Sequence, residues 1–255
     1  TAFSQLGVPR EKFVIVSGIG CSSRFPYYMN TYGFHGIHGR APAIATGIAL
    51  ANPELLVWVV TGDGDGLSIG GNHLIHAMRR NVNLKIILFD NRIYGLTKGQ
   101  YSPTSELGKI NKSAPFGTVE QPLDPISLAL ACGATFVARS VDVYQKHLIE
   151  ILRRAAEHKG CAFIHVFQNC NVYNDNAFAH FTDKDVRDDC NLELEHGKPL
   201  VFGKNKDKGI RVTRDHQVEV VPLANGGSEG DLLVYNSDDI PTAHLLAHLA
   251  PPKYP

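Results

Sequence analysis

The sequence lacks the features that mark several classes of protein. Its 25 basic and 25 acidic residues cancel, so the 255-residue chain has no charge excess of the kind that binds nucleic acid or a membrane surface. No apolar run reaches the roughly 18 residues of a membrane span, and the N-terminal TAFSQLGVPR has neither the charged start nor the apolar middle of a signal peptide. These absences predict a cytoplasmic protein that binds neither nucleic acid nor membranes.

Cysteine and methionine are both scarce. The five cysteines form an odd set without a CxxC spacing, so we expect reduced thiols and no disulfide framework. The chain starts at Thr1, and its two methionines are Met29 and Met78, so we expect an N-terminal segment to be missing from this sequence.

Apolar runs alternate with helical stretches through the first part of the chain. Continuous apolar runs are typical of strands buried on both faces, and their alternation with helices predicts an α/β domain, a mainly parallel sheet with helices on both faces. We place this domain at 1–175 and an irregular C-terminal extension at 176–255, with a flexible turn at 225–231. The strands are predicted at 12–18, 55–60, 84–89, 134–139 and 162–167, and the helices at 41–52, 68–80, 125–133 and 144–160.

An acidic, glycine-rich stretch follows the second strand: VVTGDGDGLSIGG, residues 59–71. An EF-hand calcium loop starting at Asp63 would need oxygen ligands at Leu67 and Leu74, which are apolar. A phosphate-binding P-loop would need a lysine after the glycines, and the next one is Lys85. In a dinucleotide turn the acids would repel the pyrophosphate, whereas a divalent cation bound to carboxylate removes that conflict.

The next strand supplies a second polar group at the same edge of the sheet. LKIILF ends in Asp90-Asn91-Arg92-Ile93, and one crossover between parallel strands would bring Asn91 beside Asp63. Carboxylate and amide oxygens suit Mg²⁺, and the glycines let backbone approach a phosphate. The alternative is a glycine turn with a solvated acid and an asparagine that caps a loop.

GDG followed by Asn at the next strand end resembles the thiamine diphosphate and magnesium motif. Longer blocks resemble the β subunit of 2-oxoacid:ferredoxin oxidoreductases, in particular its 2-oxoglutarate branch: SGIGCSSRFPYYMNTYGFHGIHGRAPAIATGIALANP, GDGDGLSIGGNHLIHAMRRNV, DNRIYGLTKGQYSPTS and QNCNVYND. The resemblance implies the thiamine diphosphate-binding fold. It also implies oxidative decarboxylation of a 2-oxoacid with CoA to acyl-CoA and CO₂, with electrons passed through a 4Fe-4S cluster to ferredoxin.

The resemblance also implies the cofactor ligands. Asp63, the Asn91 side chain and the Ile93 carbonyl would bind Mg²⁺, and Asp65 would lie in the phosphate loop without contacting the metal. The residues implied at thiamine diphosphate are Gly20, Cys21, Ser22, His38, Gly62, Gly64, Asp65, Gly66, Tyr94, Gly95, Leu96 and Thr97.

Two of the cysteines are implied to bind the cluster. Cys21 and Cys170 follow predicted strand ends, and by the resemblance they are two ligands of a 4Fe-4S cluster. The other two thiolates are expected from a segment upstream of this chain. The alternative is that both thiols are inert packing, the interpretation we give to Cys132, Cys161 and Cys190.

The resemblance places His38 and Arg40 at the substrate pocket as catalytic candidates. An equally open interpretation makes His38 a structural histidine at a helix start. We expect Lys98, with Leu96 and with Arg24 or Arg40, to set substrate preference by binding the distal carboxylate of 2-oxoglutarate. The alternative is that Lys98 is solvated or binds cofactor phosphate.

The resemblance places on a partner α subunit the glutamate that activates thiamine, together with much of the CoA site. It therefore predicts an αβ or (αβ)₂ enzyme, with residues 176–255 at the subunit interface. Two other hypotheses stay open. One is a non-oxidative thiamine lyase or decarboxylase subunit, and the other is a non-catalytic cofactor-binding or assembly subunit.

Overall fold

The structure, a computed structural model, describes residues 2–223, 229–250 and 254–255. It divides into two compact units, Thr1–Ala177 and Phe178–Pro255. Our predicted boundary, between residues 175 and 176, lies two residues before this division. In the described part of the chain, no helix is both long enough and apolar enough to cross a lipid bilayer.

The first unit is built on a six-stranded sheet in which every pairing is parallel. The strand order is β2-β1-β3-β4-β6-β5, and the predicted α/β fold is confirmed. Val59 and Ile86 are fully buried neighbours in the centre, as expected for strands covered on both faces. The strands are β1 (Phe13–Ser17), β2 (Tyr32–His35), β3 (Leu56–Gly62), β4 (Lys85–Asp90), β5 (Phe136–Val141) and β6 (Ala162–Phe167).

Helices cover this sheet. α1, α3 and α4 pack in succession, with α1 against β1 and β3 and α4 against β5 and β6. Against the other face packs α5, whose Ile151 and Ala155 join a cluster of alternate strand residues that includes Trp58 and Ile164. The helices are α1 (Ala41–Ala51), α2 (Asp63–Leu67), α3 (Gly71–Arg79), α4 (Pro125–Ala131) and α5 (Gln145–Glu157).

The structure differs from the sequence-based elements around the GDGDG stretch. We predict a loop that leads into a helix at 68–80, but the acids and glycines themselves form α2, and α3 starts only at Gly71. Ser68, with φ −91° and ψ −104°, separates the two helices. The Asp65 carbonyl accepts a hydrogen bond from the Gly70 amide at 3.1 Å, which closes the turn between them.

The second unit is more regular than the irregular extension we predict. It contains a three-stranded antiparallel sheet in which β7 (Val201–Phe202), β8 (Lys208–Val212) and β9 (Val218–Pro222) follow one another, with Leu200, Phe202 and Ile210 buried as its core. Charged residues interrupt these short strands and weaken the apolar pattern. Two helices, α6 (Ala179–Thr182) and α7 (Ile240–Ala247), complete it. Residues 225–228 of the predicted turn lie outside the described residues.

Candidate active site

Asp63 and Asp90 lie together at the carboxyl edge of the sheet. Asp63 follows β3 directly and Asp90 ends the neighbouring β4, and the two side chains are only 3% and 2% exposed. The Thr104 hydroxyl is 2.9 Å from Asp63 Oδ2 and 2.7 Å from Asp90 Oδ1. A hydroxyl has one proton to donate, so it serves only one of these two carboxylates at a time.

The electrostatics of this pair favour a cation. Burial, and secondly the charge of Asp90, raise the pKa of Asp63 to about 7. Burial also disfavours ionisation of Asp90, but the hydrogen bond and charge from His165 outweigh it and lower the pKa of Asp90. A divalent cation beside Asp63 would take the place of a proton, so this oxygen-rich donor set fits Mg²⁺.

Asp65 has a different set of partners. Its Oδ1 accepts hydrogen bonds from the Ile19 amide at 3.1 Å and the Gly39 amide at 2.7 Å, and it lies 2.5 Å from His38 Nδ1. Its Oδ2 accepts from the Thr61 hydroxyl at 2.7 Å. Asp65 therefore ties the loops after β1 and β2 to α2. These four hydrogen bonds already occupy both oxygens of the Asp65 carboxylate. That Asp65 does not contact the metal stays a prediction.

Two glycines leave room for close contacts in this region. A Cβ on Gly64 would lie 2.2 Å from the Tyr94 ring, whose hydroxyl donates to the Gly64 carbonyl at 2.8 Å. A Cβ on Gly62 would lie 3.3 Å from the Ser22 hydroxyl. Burial raises the pKa of the Tyr94 phenol, so it keeps its proton for this bond. The structure thus brings four predicted cofactor residues from three segments together.

Asn91 and Ile93 form a tight turn after β4. Asn91 Oδ1 accepts from the Ile93 amide at 3.2 Å, and the Asn91 carbonyl accepts from Asn174 Nδ2 at 2.9 Å. Between them Arg92 has φ +56°, in the left-handed region that non-glycine residues rarely adopt. The roles of Asn91 and the Ile93 carbonyl as metal ligands stay predictions. The residue that the structure joins to Asp63, through Thr104, is Asp90.

The remaining predicted site residues line the start of the long connection or lie near it. Leu96, Thr97 and Lys98 are exposed, and Lys98 has φ +76°. Arg40 Nη1 donates to the Ile69 carbonyl at 3.2 Å, so its head group is directed at the α2–α3 turn. Arg24 is exposed in the 3-10 helix Ser22–Tyr28. Thr97 also hydrogen-bonds the Gln100 side chain.

Three residues of this site carry no sequence-based prediction: Asp90 as a partner of Asp63, Thr104 and His165. Asp90 stands in the DN pair and Thr104 in YSPTS, but neither pattern indicates that they meet. His165 has a weak signal, since it is a lone polar residue in the apolar run AFIHVF. In the part of the chain that the structure describes, no three His, Cys, Asp or Glu side chains group as a metal site.

A comparison with known protein families identifies the family to which this chain belongs. The profile described as "Thiamine pyrophosphate enzyme, C-terminal TPP binding domain" matches residues 18–166, which contain β2 to β5, all but the last residue of β6, and both Asp63 and Asp90. The chain belongs to the thiamine pyrophosphate enzymes. Thiamine pyrophosphate is thiamine diphosphate, the cofactor that the GDG and Asn pattern implies.

Two individual proteins show the similarity in more detail. The "2-oxoglutarate oxidoreductase subunit KorB" of Mycobacterium tuberculosis is 52% identical over 96% of this chain and 66% of its own length. The "2-oxoacid:ferredoxin oxidoreductase 1, subunit beta" of Aeropyrum pernix is 49% identical over 71% of this chain and 57% of its own. The predicted resemblance to these β subunits is confirmed. The chain spans less than two thirds of the length of either relative.

A solved structure has the same fold. It is the "2-oxoglutarate:ferredoxin oxidoreductase from Magnetococcus marinus with 2-oxoglutarate, coenzyme A and succinyl-CoA bound". Its chain is 47% identical, with a TM-score of 0.68, over 69% of this chain and 60% of its own.

The two cysteines predicted to bind a cluster both lie close to one glycine. A Cβ on Gly95 would lie 3.5 Å from Cys21 Sγ and 3.7 Å from Cys170 Sγ. The two sulfurs are therefore at most 7.2 Å apart, the sum of those distances. Cys21 is exposed and Cys170 half-buried, and both are free thiols. Two thiols this close fit one side of a thiolate-bound cluster, whereas separate inert packing gives no reason for them to meet.

Proposed function

We propose that this chain is the β subunit of a 2-oxoacid:ferredoxin oxidoreductase whose substrate is 2-oxoglutarate. It acts with an α subunit, as αβ or (αβ)₂, and converts the 2-oxoacid and CoA to acyl-CoA and CO₂. Ferredoxin accepts the electrons. The names of the relatives above, and the 2-oxoglutarate and coenzyme A bound in the solved Magnetococcus marinus enzyme, support this substrate class. Free thiols support a cytoplasmic setting.

The observation that carries the proposal is the pairing of a buried carboxylate, whose pKa is raised, with two neighbouring thiols at one sheet edge. Asp63 is buried beside Asp90, with the Thr104 hydroxyl between the two carboxylates, and Tyr94 connects its helix to the loop containing Gly95. A Cβ on Gly95 would lie within 3.7 Å of the sulfurs of both Cys21 and Cys170. A metal-bound diphosphate and a one-electron acceptor are the two parts that oxidative decarboxylation requires side by side.

The chain's residues have distinct tasks in this scheme. Asp63, the Asn91 side chain and the Ile93 carbonyl would hold Mg²⁺, which would neutralise the charge of the diphosphate. Gly62, Gly64 and Gly66 would line the diphosphate site at the start of α2, where the Tyr94 ring packs against Gly64. Thiamine diphosphate, when bound, supplies the nucleophilic carbon and the electron sink for decarboxylation.

The polar residues around the pocket orient the substrate and exchange protons with it. Asp65 holds His38 by Nδ1, so the other ring nitrogen, Nε2, is the one with which His38 takes or gives a proton. Arg40 and Lys98 offer positive charge to the substrate carboxylates. The wall of the cofactor pocket is lined by Gly20, Ser22, Leu96 and Thr97.

Cys21 and Cys170 hold one side of a 4Fe-4S cluster. Such a cluster usually takes four thiolates, so two more come from outside this chain's sequence. Cluster and cofactor are then neighbours on either side of the Tyr94–Gly95 segment, which keeps the electron path short.

The full-length chain, purified with its α subunit, tests the proposal. With thiamine diphosphate, Mg²⁺, CoA and 2-oxoglutarate we expect ferredoxin reduction that depends on all four, and the broad visible absorbance of a 4Fe-4S cluster. Release of CO₂ without ferredoxin reduction or cluster absorbance would instead indicate a non-oxidative lyase or decarboxylase. Cofactor binding without turnover would indicate an assembly subunit. Either result contradicts the proposal.

A further inference from the structure

A buried histidine with no assigned role lies on β6, between β4 and β5. His165 belongs to β6 and is 1% exposed. Its Nε2 is 2.9 Å from Asp90 Oδ2, and its Nδ1 is 3.3 Å from Arg139 Nε on β5. His165 pairs in register with Arg139 on one side and with Leu88 on the other, so the contacts run across three adjacent strands.

The partners determine where the proton of His165 lies. Arginine has N–H donors and no acceptor, so Nδ1 must accept from Arg139. Nε2 then carries the ring proton and donates it to Asp90. Arg139 is itself held in place, because its Nη2 donates to Asp124 Oδ1 at 3.0 Å and its guanidinium stacks 5.5 Å from the centre of the Phe167 ring.

The same hydrogen bonds fix Asp90 on both oxygens. Oδ2 faces His165, while Oδ1 accepts from the Arg92 amide at 3.0 Å and from Thr104 at 2.7 Å. Thr104 also reaches Asp63 Oδ2. Three consecutive contacts therefore lead from His165 to the carboxylate proposed to hold the metal, all of them between side chains that are at most 3% exposed.

This arrangement is costly if its only purpose is to fill the sheet. Burying an imidazole and two carboxylates costs free energy that a similar volume of apolar side chains would not. On its own face of β6 the His165 side chain lies between Phe163, which is fully buried, and Phe167, whose ring centre is 4.5 Å from the imidazole. A leucine would suit that setting, so the histidine is better explained by what its contacts hold.

We propose that His165, oriented by Arg139, is a positioning residue for the divalent cation, acting through Asp90 and Thr104 on the Asp63 carboxylate. The inference rests on the proposed function, in which Asp63 binds Mg²⁺. With Asp90 fixed as acceptor, the Thr104 oxygen has a single location 2.9 Å from Asp63 Oδ2. Together with Ser102 and the Gly64 amide, which also hydrogen-bond to Asp63, it restricts where that carboxylate can lie. Partners of metal ligands typically affect metal affinity about 10- to 100-fold.

Manganese binding tests this without recourse to turnover. In the full-length αβ complex with thiamine diphosphate, Mn²⁺ replaces Mg²⁺ and its free concentration is read by electron paramagnetic resonance. We expect His165→Leu to weaken Mn²⁺ binding about 10- to 100-fold. His165→Gln should retain most of the affinity, because the Gln amide nitrogen can take the place of Nε2 and donate to Asp90.

A second pair of variants tests the middle of the same path. Thr104→Val keeps the shape but removes the hydroxyl and should weaken Mn²⁺ binding, whereas Thr104→Ser should restore it. If both residues act along one path, His165→Leu and Thr104→Val together should lose little more than the worse single variant, since coupled changes are not additive. The matched control is Ser140→Ala. It removes another buried hydroxyl of this sheet, bonded to His147 at 2.9 Å, and should leave Mn²⁺ affinity unchanged.

The outcomes separate this inference from the proposed function. If Asp63→Ala abolishes Mn²⁺ binding while folded His165→Leu or Thr104→Val binds like wild type, the positioning role is wrong and the proposed function survives. If Asp63→Ala itself binds Mn²⁺ like wild type, the proposed function fails first. Should His165→Leu not fold, the Thr104 pair decides: equal affinity of Thr104→Val and Thr104→Ser overturns the inference.

Discussion

The two ends of strand β4 bury charge in contrasting ways. At its amino end, Lys85 is 1% exposed and its ammonium donates to Asn83 Oδ1 at 2.7 Å and to the carbonyls of His158 at 2.6 Å and Gly160 at 3.1 Å. Three donors thus meet three acceptors. At its carboxyl end, Asp90 and Asp63 share the one hydroxyl of Thr104.

The contrast separates structural charge from functional charge. Lys85 joins β4 to the segment after α5, and each of its N–H groups has an oxygen, so nothing more is needed there. At the carboxylate end, burial and secondly the charge of Asp90 raise the pKa of Asp63 to about 7, although Ser102, Thr104 and the Gly64 amide hydrogen-bond to it. A buried acid whose pKa is raised by burial and by a second acid is typical of a functional site, so this pair indicates a cationic ligand.

Removing the Asp63 carboxylate should have the largest effect. Asp63→Ala deletes the proposed metal ligand, so we expect calorimetry on the full-length αβ complex to show at least a 100-fold loss of Mg²⁺-dependent thiamine diphosphate affinity, roughly 3 kcal/mol. Lys85→Met, at the other end of β4, is the control and should bind normally. Equal losses in the two variants would erase the contrast between the ends.

The same carboxylate should destabilise the protein when cation and cofactor are absent. Asp63→Asn relieves a buried repulsion with Asp90 and keeps a group that can donate to it. We expect the free energy of unfolding at pH 8 to rise by ~2 kcal/mol, because a functional site often holds such strain. Denaturant unfolding in EDTA measures it. A stability loss would mean that the negative charge of Asp63 is already compensated within the chain.

The sequence predicts the sheet and the location of the acidic site, but not the contacts within that site. The continuous apolar strands predict the parallel sheet, and GDG with DN at successive strand ends predicts that Asp63 and the residues that end β4 meet at the carboxyl edge, as they do. The partners within that site depend on tertiary contacts: Thr104 lies 41 positions from Asp63, and His165 lies 75 from Asp90. Local patterns carry no signal over such separations. The short strands β7 to β9 are missed because charges interrupt their apolar residues.

Lys85→Met should have the next largest effect. It should lower the free energy of unfolding without changing cofactor binding. The variant leaves the His158 and Gly160 carbonyls without their donor, and each orphaned buried acceptor costs about 1–3 kcal/mol. We therefore expect about 2–4 kcal/mol less free energy of unfolding, measured in urea. Lys12→Met, which removes an exposed ion pair with Glu54, is the matched control and should change stability by less than about 1 kcal/mol.

The effect of Lys85 should depend on pH. Burial lowers its pKa to about 8 from 10.5. Below pH 8 both folded and unfolded states carry the proton, and the desolvation penalty is fully present. Between pH 8 and 10.5 the unfolded state binds more protons, so Lys85 favours folding increasingly as pH rises. The stability gap between wild type and Lys85→Met should widen over that window, and a narrowing gap would show that the ammonium is stabilised where it lies.

A second lysine, in the segment that follows β4, can be compared with Lys85. Lys98 follows the carboxyl end of β4 and is exposed, whereas Lys85 is enclosed. If Lys98 binds the distal carboxylate of 2-oxoglutarate, Lys98→Ala should lower kcat/KM for 2-oxoglutarate about 10-fold, the value of one charge-assisted contact. Pyruvate lacks that carboxylate and should be affected little. An equal loss on both substrates would assign Lys98 to the cofactor or to solvent.

The smallest expected effect on binding comes from Asp65, two residues after Asp63 in the same helix. Asp65→Asn keeps an oxygen for the Ile19 and Gly39 amides, and the Thr61 hydroxyl can reverse its bond and accept from the new amide group. Only the charge beside His38 is lost. We expect cofactor affinity to fall by less than about 10-fold, well short of Asp63→Ala in the same calorimetric titration. If Asp65→Asn had the greater effect, Asp65 would be the metal ligand. The hydrogen bonds to Asp65 and the buried charge pair at Asp63 would then not distinguish the carboxylate that binds the metal from the one that does not.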